Sequence, residues 1–364
     1  MDLPQSLGLP PFRPRAPWWG ADLQTLRDTV RPQRFPRLDS EPLLVDIGAE
    51  DRLLALLDRP LDRHSPPLGL VLVLPGLGGD SEGVGPRRLG LQLCQAGFAV
   101  LRLNLRGAGA GRTLARGTYA ARCDQDLLPV IQTCRLLARS LTTSDHPLPM
   151  LGVGISLGGA ILLNLTHGRP QDPSPFKALI CLSSPLDLAE ASRRIDRPRN
   201  ALYQRWMVRR LLRQAEADPH GVSPEERRRL SSSDGGPLTL RLFDAALTAP
   251  RWGWDSVDAY YSGASPLRWL QQGGIELPTL LVHASDDPWV PVDSHLALQA
   301  RLDGSLSKRV SVVLTPGGGH NGFHDEAGCW SDRLAVRWLR SQCPAAEGQA
   351  PDGAAGSSTI GRAQ

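Results

Sequence analysis

The chain has 364 residues, a length that suits one large domain carrying an insertion. Hydrophobic residues make up 41% and charged residues 21%, which is typical of a folded globular protein and excludes a disordered chain. The formal net charge of +4 is small, and much of the arginine lies between about residues 190 and 230. No zinc-finger or recognition-helix pattern accompanies this basic stretch, so we expect no nucleic-acid partner.

The predicted elements begin with an antiparallel hairpin around residues 43–57. Short apolar runs then alternate with segments of helical periodicity, which predicts a mostly parallel sheet flanked by helices. The predicted strands of this sheet are residues 69–74, 98–103, 150–155, 178–182, 279–283 and 310–314. The predicted helices between and after them are residues 89–96, 124–138, 158–166 and 332–340.

The interruptions of this alternation predict the domain organisation. Residues 1–67 form an N-terminal extension that ends in the hairpin, and residues 68–185 together with 255–343 form the α/β core. Residues 186–254 are rich in arginine and helical in pattern, which predicts a helical cap inserted into the core. Residues 344–364 are rich in Ala, Gly, Ser and Gln, and we expect this tail to be disordered.

The N-terminus and the cysteines bear on where the protein works. The first 20 residues contain five prolines and lack the apolar segment of a signal peptide or of a membrane-spanning helix. We therefore expect a cytoplasmic protein with at most peripheral membrane contact. The six cysteines form no C-x-x-C pair, which favours free thiols in a reducing compartment and indicates no metal site.

The strongest chemical signal is a G-x-S-x-G pattern from Gly154 to Gly158, which follows a predicted strand and opens a predicted helix. In this context the turn projects the serine hydroxyl above the sheet, and the helix amides favour developing negative charge. Ser156 is therefore the candidate nucleophile. Alone, the pattern also fits an ordinary strand, turn and helix with chance glycines, so its partners decide the interpretation.

A serine nucleophile needs a base and a carboxylate that orients the base. His320 follows three glycines directly after the last predicted strand, which is where the base stands in chain order. Asp286 and Asp287 both follow the preceding strand. We favour Asp287 as the acid because the pattern D-x-x-V-P usually starts at the acid in this position, and we expect Asp286 to cap or brace the loop.

Two backbone N–H groups are needed to stabilise the oxyanion of a tetrahedral intermediate. We assign Leu157, directly after the nucleophile, and Leu77, in the glycine-rich loop after the first parallel strand. That loop lacks the Lys-Ser/Thr ending of a phosphate-binding loop, and no G-x-G-x-x-G opens a helix there. We expect no nucleotide, no other organic cofactor and no metal.

With these residues in place, the sequence resembles the YheT-like branch of the alpha/beta-hydrolases (AB hydrolase type 4 family) over about residues 18–340. The resemblance implies the alpha/beta-hydrolase fold and hydrolysis of carboxylic esters, of short or medium acyl chains or of lipids, by Ser156, Asp287 and His320. Arg106 lies in the R-G-x-G turn common in these proteins, which implies a structural anchor. Besides 154–159, the matching segments are D-L-Q-T (22–25), L-P-G-L (74–77), Q-D-L (125–127), S-P-L-D-L (184–188), L-F-D (242–244), D-A-Y-Y (258–261), S-P (265–266), D-D-P (286–288) and G-G-H (318–320).

Two other functions are compatible with this sequence. An acyltransferase would use the same three residues and pass the acyl group to an alcohol or thiol, and a non-catalytic binding protein would reuse the fold. A dehalogenase or an epoxide hydrolase is disfavoured because those enzymes carry Asp in place of the nucleophilic Ser.

The cap also has two interpretations. If it forms an acyl pocket, Trp206, Met207, Leu211 and Leu212 face inward, and its arginines face water or anionic headgroups. The alternative is a solvated helical face that does not contact substrate.

Overall fold

A computed structural model describes residues 2–36, 38–167, 174–231, 237–273, 275–303 and 309–343. The tail that the sequence predicts to be disordered, residues 344–364, lies outside the described residues.

One mixed sheet of eight strands forms the centre of the described structure. Its strands are β1 (Glu41–Gly48), β2 (Asp51–Asp58), β3 (Leu70–Leu74), β4 (Ala99–Leu103), β5 (Met150–Ile155), β6 (Ala178–Leu182), β7 (Thr279–Ala284) and β8 (Val310–Thr315). Their order is β1-β2-β4-β3-β5-β6-β7-β8. β1 and β2 form an antiparallel hairpin and β2 pairs antiparallel with β4, whereas β4 through β8 are joined by parallel pairs. The predicted hairpin and the predicted mostly parallel sheet are both confirmed.

Helices precede the sheet, connect its strands and close the chain. They are α1 (Leu3–Ser6), α2 (Ala21–Val30), α3 (Val84–Gln95), α4 (Asp124–Ser140), α5 (Leu157–Thr166), α6 (Leu188–Ile195), α7 (Ala201–Glu216), α8 (Pro224–Ser231), α9 (Leu240–Phe243), α10 (Ala249–Arg251), α11 (Val257–Ala264), α12 (Leu267–Leu270), α13 (Asp293–Asp303) and α14 (Trp330–Gln342). Short 3₁₀ helices cover Gly109–Leu114 and Pro198–Asn200, a π-helical turn covers Asp244–Thr248, and the small strands β9 (His324–Asp325) and β10 (Gly328–Cys329) pair before α14.

The two faces of the sheet are both buried, which explains why its central strands are continuously apolar. Every residue of β3 is buried. Leu72 packs in one apolar cluster with residues of α4 and α5, whereas Val71 packs in a second cluster with residues of α3 and α14. Because successive side chains of a strand point to opposite faces, the alternation within β3 places these two helix pairs on opposite sides of the sheet.

Helices α6 to α10 occupy the interval between β6 and α11 in which the sequence predicts the cap. They enclose a separate apolar cluster that includes Met207, Leu211 and Phe243. Leu77, after β3, and Trp289, after β7, also pack against this cluster. The helices therefore lie at the edge of the sheet where the parallel strands end, which is the edge that carries functional loops in this class of fold.

Candidate active site

Ser156 lies at the turn between β5 and α5 in a backbone conformation that non-glycine residues rarely adopt, with φ 53° and ψ −122°. The glycines that follow allow α5 to pack tightly. A Cβ on Gly158 would lie 2.5 Å from the carbonyl oxygen of Leu74, and a Cβ on Gly159 would lie 1.9 Å from Ser184 Oγ. The G-x-S-x-G-G sequence is thus required by close contacts that hold the serine in its strained turn.

Ser156, His320 and Asp287 form a continuous hydrogen-bonded chain. Ser156 Oγ is 2.9 Å from His320 Nε2, and His320 Nδ1 is 2.8 Å from Asp287 Oδ2. The other carboxylate oxygen, Asp287 Oδ1, accepts hydrogen bonds from the N–H groups of Trp289 (2.8 Å) and Val290 (3.0 Å). Because the backbone fixes the carboxylate, the carboxylate in turn fixes the plane of the imidazole ring.

The two candidate acids have different surroundings. Burial alone would raise the pKa of Asp287, but attraction to His320 and the hydrogen bond to its ring hold that pKa below its usual value. Asp286 does not contact the ring. Its Oδ1 accepts the N–H of Gly319 at 2.8 Å, and burial raises its pKa with a further contribution from the neighbouring Asp287. The carboxylate at His320 is therefore that of Asp287, and Asp286 braces the loop before the histidine.

The candidate oxyanion donors lie on the two sides of the serine. Leu157 is the first residue of α5, and Leu77 follows Gly76, where a Cβ would lie 3.0 Å from Ser156 Cβ. Both leucines line the same cavity as Ser156. This close approach of the β3 loop to the serine is the arrangement that two N–H donors to one oxyanion require.

The loop that carries Leu77 is held from both sides. Gly78 adopts a positive φ of 70° and donates its N–H to the buried Tyr119 hydroxyl at 2.5 Å. Its carbonyl oxygen accepts hydrogen bonds from Gln214 (3.1 Å) and Arg210 of α7. A movement of α7 would therefore be transmitted to the loop beside the serine.

Arg106 forms the anchor that the sequence predicts. Its Nε and Nη2 atoms each donate to the carboxylate of Asp126 at 2.7 Å, and its Nη1 atom donates to Asp51 at 2.6 Å and to the carbonyl of Arg116 at 2.8 Å. This guanidinium joins α4, the start of β2 and the loop after β4, and it does not line the cavity around Ser156.

Residues 69–327 of the chain match the family described as alpha/beta hydrolase fold, which is more than half of the chain. The chain belongs to this family. The YheT-like resemblance is supported by two curated relatives. A phospholipase ABHD3 from Bos taurus is 29% identical over 264 residues, covering 71% of this chain and 59% of the relative. The putative esterase YheT of Escherichia coli (strain K12) is 32% identical over 179 residues, covering 48% of this chain and 49% of the relative.

The chain of this alpha/beta hydrolase thus spans about 59% of the length of the bovine relative. Among solved structures, an esterase of Pyrococcus furiosus, Pf2001, has a TM-score of 0.54 at 13% identity, and the match covers 92% of this chain and all of that one. At this identity the likeness concerns the fold alone, and it confirms the alpha/beta-hydrolase fold that the sequence predicts.

A cavity of about 190 Å³ adjoins Ser156 and His320 in this hydrolase. Met207 and Leu211 of α7 lie in its wall together with Phe243 of α9, whereas Leu212 packs against the apolar cluster of the cap helices and does not line the cavity. For Met207 and Leu211 this agrees with the acyl-pocket interpretation, one of the two that the sequence leaves open. The same interpretation places Trp206 in the wall, and this part of it is wrong, because the Trp206 side chain is 47% exposed. The buried side of α7 follows helical spacing through positions 204, 207, 208, 211 and 215, so position 206 falls outside that stripe.

A buried carboxyl group also lines the cavity, and the sequence drew attention to it only through the family resemblance. Asp244 begins the π-helical turn and accepts hydrogen bonds from Thr248 Oγ1 at 2.7 Å and from the Tyr261 hydroxyl at 2.8 Å. Burial raises the pKa of Asp244 to about 6, although both hydrogen bonds act in the opposite direction. The largely apolar wall therefore contains a buried carboxyl group whose pKa is raised toward neutral pH.

The N-terminal extension holds the loop that carries His320. Thr25 Oγ1, on α2, accepts the backbone N–H of His320 at 2.8 Å. The Gln24 side chain accepts the N–H of His324 at 2.7 Å and donates to the carbonyl of the same residue at 3.1 Å. Sequence reasoning did not find these positioning contacts, because they join residues about 300 positions apart.

A buried ionic cluster lies behind this contact and joins α2 to two other helices. Arg88 of α3 pairs with Asp332 of α14 at 2.5 Å and with Asp28 of α2. His324 Nε2 lies 3.2 Å from the same Asp28. Burial would raise the pKa of Asp28, but the close contact with His324 and the charge of Arg88 hold that pKa well below its usual value.

Three further observations concern cofactors, membranes and redox chemistry. Within the described ranges, no group of three or more His, Cys, Asp or Glu side chains is placed to hold a metal ion. No helix in the described part of the chain combines the length and the apolar character needed to cross a bilayer. The six cysteines are buried and free.

Proposed function

We propose that this alpha/beta hydrolase is a serine hydrolase that cleaves carboxylic esters of short or medium acyl chains or of lipids. The observation that carries the proposal is the hydrogen-bonded chain from Asp287 through His320 to Ser156, which lies at a largely apolar cavity. A serine hydroxyl in contact with an oriented imidazole is the arrangement that activates this otherwise weak nucleophile.

In the proposed reaction, Ser156 Oγ attacks the acyl carbonyl carbon while its proton passes to His320 Nε2. The carbonyl oxygen becomes an oxyanion and accepts the N–H groups of Leu77 and Leu157. The C–O bond to the alcohol then breaks, and His320 returns the proton to the leaving alkoxide, which leaves an acyl-enzyme. A water molecule repeats these steps and releases the carboxylic acid. Asp287 orients the ring and stabilises its positive charge throughout.

Two observations support an apolar acyl group. Met207, Leu211 and Phe243 contribute apolar side chains to the cavity, and burial of such a surface favours an alkyl chain over a polar one. The relatives named phospholipase and esterase are consistent with an ester substrate. On this proposal residues 186–254 act as the cap that covers the acyl group, and the cytoplasmic location stays a prediction from the sequence.

The proposal is tested by labelling the purified protein with a fluorophosphonate probe and by measuring hydrolysis of p-nitrophenyl esters from short to long acyl chains. Labelling and turnover should both disappear in Ser156→Ala and persist in Ser285→Ala, which removes an exposed serine from the loop after β7. The chain-length profile reports the depth of the acyl pocket.

Two results would redirect the assignment. A folded wild-type protein that neither labels nor hydrolyses any ester would support the binding-protein alternative. Preferential transfer of the acyl group to an added alcohol, in place of water, would favour the acyltransferase.

A further inference from the structure

Helix α7 has two faces of different function. Its inner face lines the cavity beside Ser156 through Met207 and Leu211. Its outer face exposes Leu202, which is 81% accessible, and Trp206, which is 47% accessible. Exposure of large apolar side chains to water costs free energy. Where several such side chains lie next to one another, the surface is typical of a contact site for an apolar partner or a membrane.

The start of α2 extends this exposed surface. Asp22 accepts a hydrogen bond from the Tyr203 hydroxyl of α7 at 2.9 Å and pairs with Arg199 at 2.8 Å, so the beginnings of the two helices lie side by side. Next to Asp22 in the chain, Trp19 is 62% exposed and Leu23 is 46% exposed. We call the outer face of α7 together with Trp19 and Leu23 the cap face. Both strongly exposed tryptophans of the described chain belong to it.

The cap face is positively charged. Arg205, Arg209 and Arg213 follow one another at intervals of four along the outer side of α7, and all three are exposed. Within the part of the chain that the structure describes, none of these three side chains pairs with a carboxylate. Arg193 and Arg197, at the end of α6, are also exposed and unpaired there.

We propose that the cap face docks on an anionic lipid bilayer. This proposal rests on the function proposed above, because docking would supply the site at Ser156 with lipid esters. Tryptophan, leucine and arginine interspersed along one helix face are typical of helices that lie in the membrane interface. The apolar side chains insert between headgroups, while the flexible arginines reach the phosphates. A face on which exposed apolar and cationic side chains alternate suits a fluid bilayer, into which each side chain inserts separately.

The cap face lies close to the candidate active site. The ring of Trp206 lies 6.4 Å from that of Trp289, measured between centroids, and the Trp289 ring lies 4.5 Å from that of His320. Only the thickness of α7 separates its outer face from the cavity wall that Met207 and Leu211 form. A bilayer in contact with the cap face would therefore hold ester substrates close to Ser156.

The test compares two triple variants that remove the same chemical groups from different helices. The first is Leu202→Gln, Arg205→Gln, Arg209→Gln on α7. The matched control is Arg135→Gln, Leu136→Gln, Arg139→Gln on α4, where Leu136 is 70% exposed and both arginines are exposed. Each variant loses one exposed leucine and two positive charges. Co-sedimentation measures binding to phosphatidylcholine vesicles with and without phosphatidylglycerol.

We expect the wild-type protein to sediment with the vesicles that contain phosphatidylglycerol, and added salt should weaken this binding. One arginine near an anionic surface contributes about fivefold to partitioning, so the loss of two arginines should weaken binding by the α7 variant about 25-fold, and the loss of Leu202 should weaken it further. The α4 variant should bind like the wild type. Both variants should hydrolyse soluble p-nitrophenyl butyrate at the wild-type rate, because none of the exchanged residues lines the cavity.

Three results would overturn the proposal. The first is a wild-type protein that does not sediment with anionic vesicles. The second is an α4 variant that loses as much binding as the α7 variant. The third is capture of the wild type by immobilised polyglutamate but not by vesicles, which would indicate an acidic protein partner. Ser156→Ala separates this proposal from the catalytic one, because vesicle binding should survive in that variant whether or not the wild type is a hydrolase.

Discussion

Replacing Thr25 by valine tests whether the N-terminal extension positions the catalytic base. Thr25 Oγ1 accepts the His320 N–H at 2.8 Å and donates to the Ala21 carbonyl at 2.8 Å. Valine has nearly the same shape but no acceptor, so the N–H of a histidine that is only 5% exposed would lose its partner. An unpaired buried N–H costs about 1–3 kcal/mol, which the loop avoids by shifting the ring away from Ser156. We expect kcat/KM to fall about 10- to 100-fold.

The assay is the second-order rate of fluorophosphonate labelling together with steady-state hydrolysis of p-nitrophenyl butyrate. The reduction should appear in kcat more than in KM, because Thr25 does not line the cavity. Thr25→Ser keeps the acceptor and should react within about threefold of the wild type, and thermal unfolding shows whether each variant is folded. A folded Thr25→Val protein that reacts at the wild-type rate, or a serine variant that is equally slow, would refute the reasoning.

Three further sites give predictions of other kinds. Asp287→Asn should lower kcat by roughly 1000-fold or more, because it disturbs the imidazole tautomer of His320. Asp286→Asn should lower kcat by less than about tenfold, because its amide oxygen still accepts the N–H of Gly319. Equal rates in the two variants would contradict the assignment of Asp287 as the acid. The folded-state pKa of Asp244 is raised from 3.8 to about 6. Ionisation of Asp244 therefore lowers the free energy of unfolding as pH rises from about 4 to about 6, and above pH 6 the loss reaches about 3 kcal/mol. In urea unfolding, the wild type should lose up to about 3 kcal/mol of unfolding free energy between about pH 4 and about pH 7 relative to Asp244→Asn, and the same pH dependence in both proteins would assign the titration elsewhere. Gly159→Ala places a methyl group 1.9 Å from Ser184 Oγ and should lower Tm by several degrees in a calorimetric scan, and an unchanged Tm would show that α5 can move away from β6.

Two central strands, β5 and β6, were predictable to the residue, whereas β3 and β4 each begin one residue later than predicted. Met150–Ile155 and Ala178–Leu182 have the predicted bounds because each is a short, continuous apolar run that is buried on both faces of the sheet. The start of α3 was not predictable. The helix begins at Val84, five residues before the predicted start at Leu89, and this first turn contains glycine, proline and arginine residues that carry no apolar periodicity. One of them, Arg88, is buried only because carboxylates from α2 and α14 surround it.

The candidate site shows the same division between local and distant information. Ser156 and His320 carry local signatures, namely glycines that a turn requires and a position directly after a strand. Gln24 and Thr25 belong to the D-L-Q-T segment of the family resemblance, but no local pattern assigns them a role, because their contacts depend on where α2 lies against a loop far away in sequence. Trp206 was assigned to the wrong side of α7 because arginine and tryptophan share the outer stripe, so composition alone does not reveal which stripe is buried.

The contacts of α2 have a consequence for how the boundaries of this protein are drawn. The stretch that matches the family begins at residue 69. The hydrogen bonds that hold the loop of His320 and His324, however, come from Gln24 and Thr25. A protein trimmed to the matching stretch would keep all three residues of the proposed catalytic triad and both proposed oxyanion donors, but it would lack the hydrogen bonds from Gln24 and Thr25. The stretch that matches the general alpha/beta-hydrolase family and the stretch needed to hold the histidine loop therefore differ, and only the second includes α2.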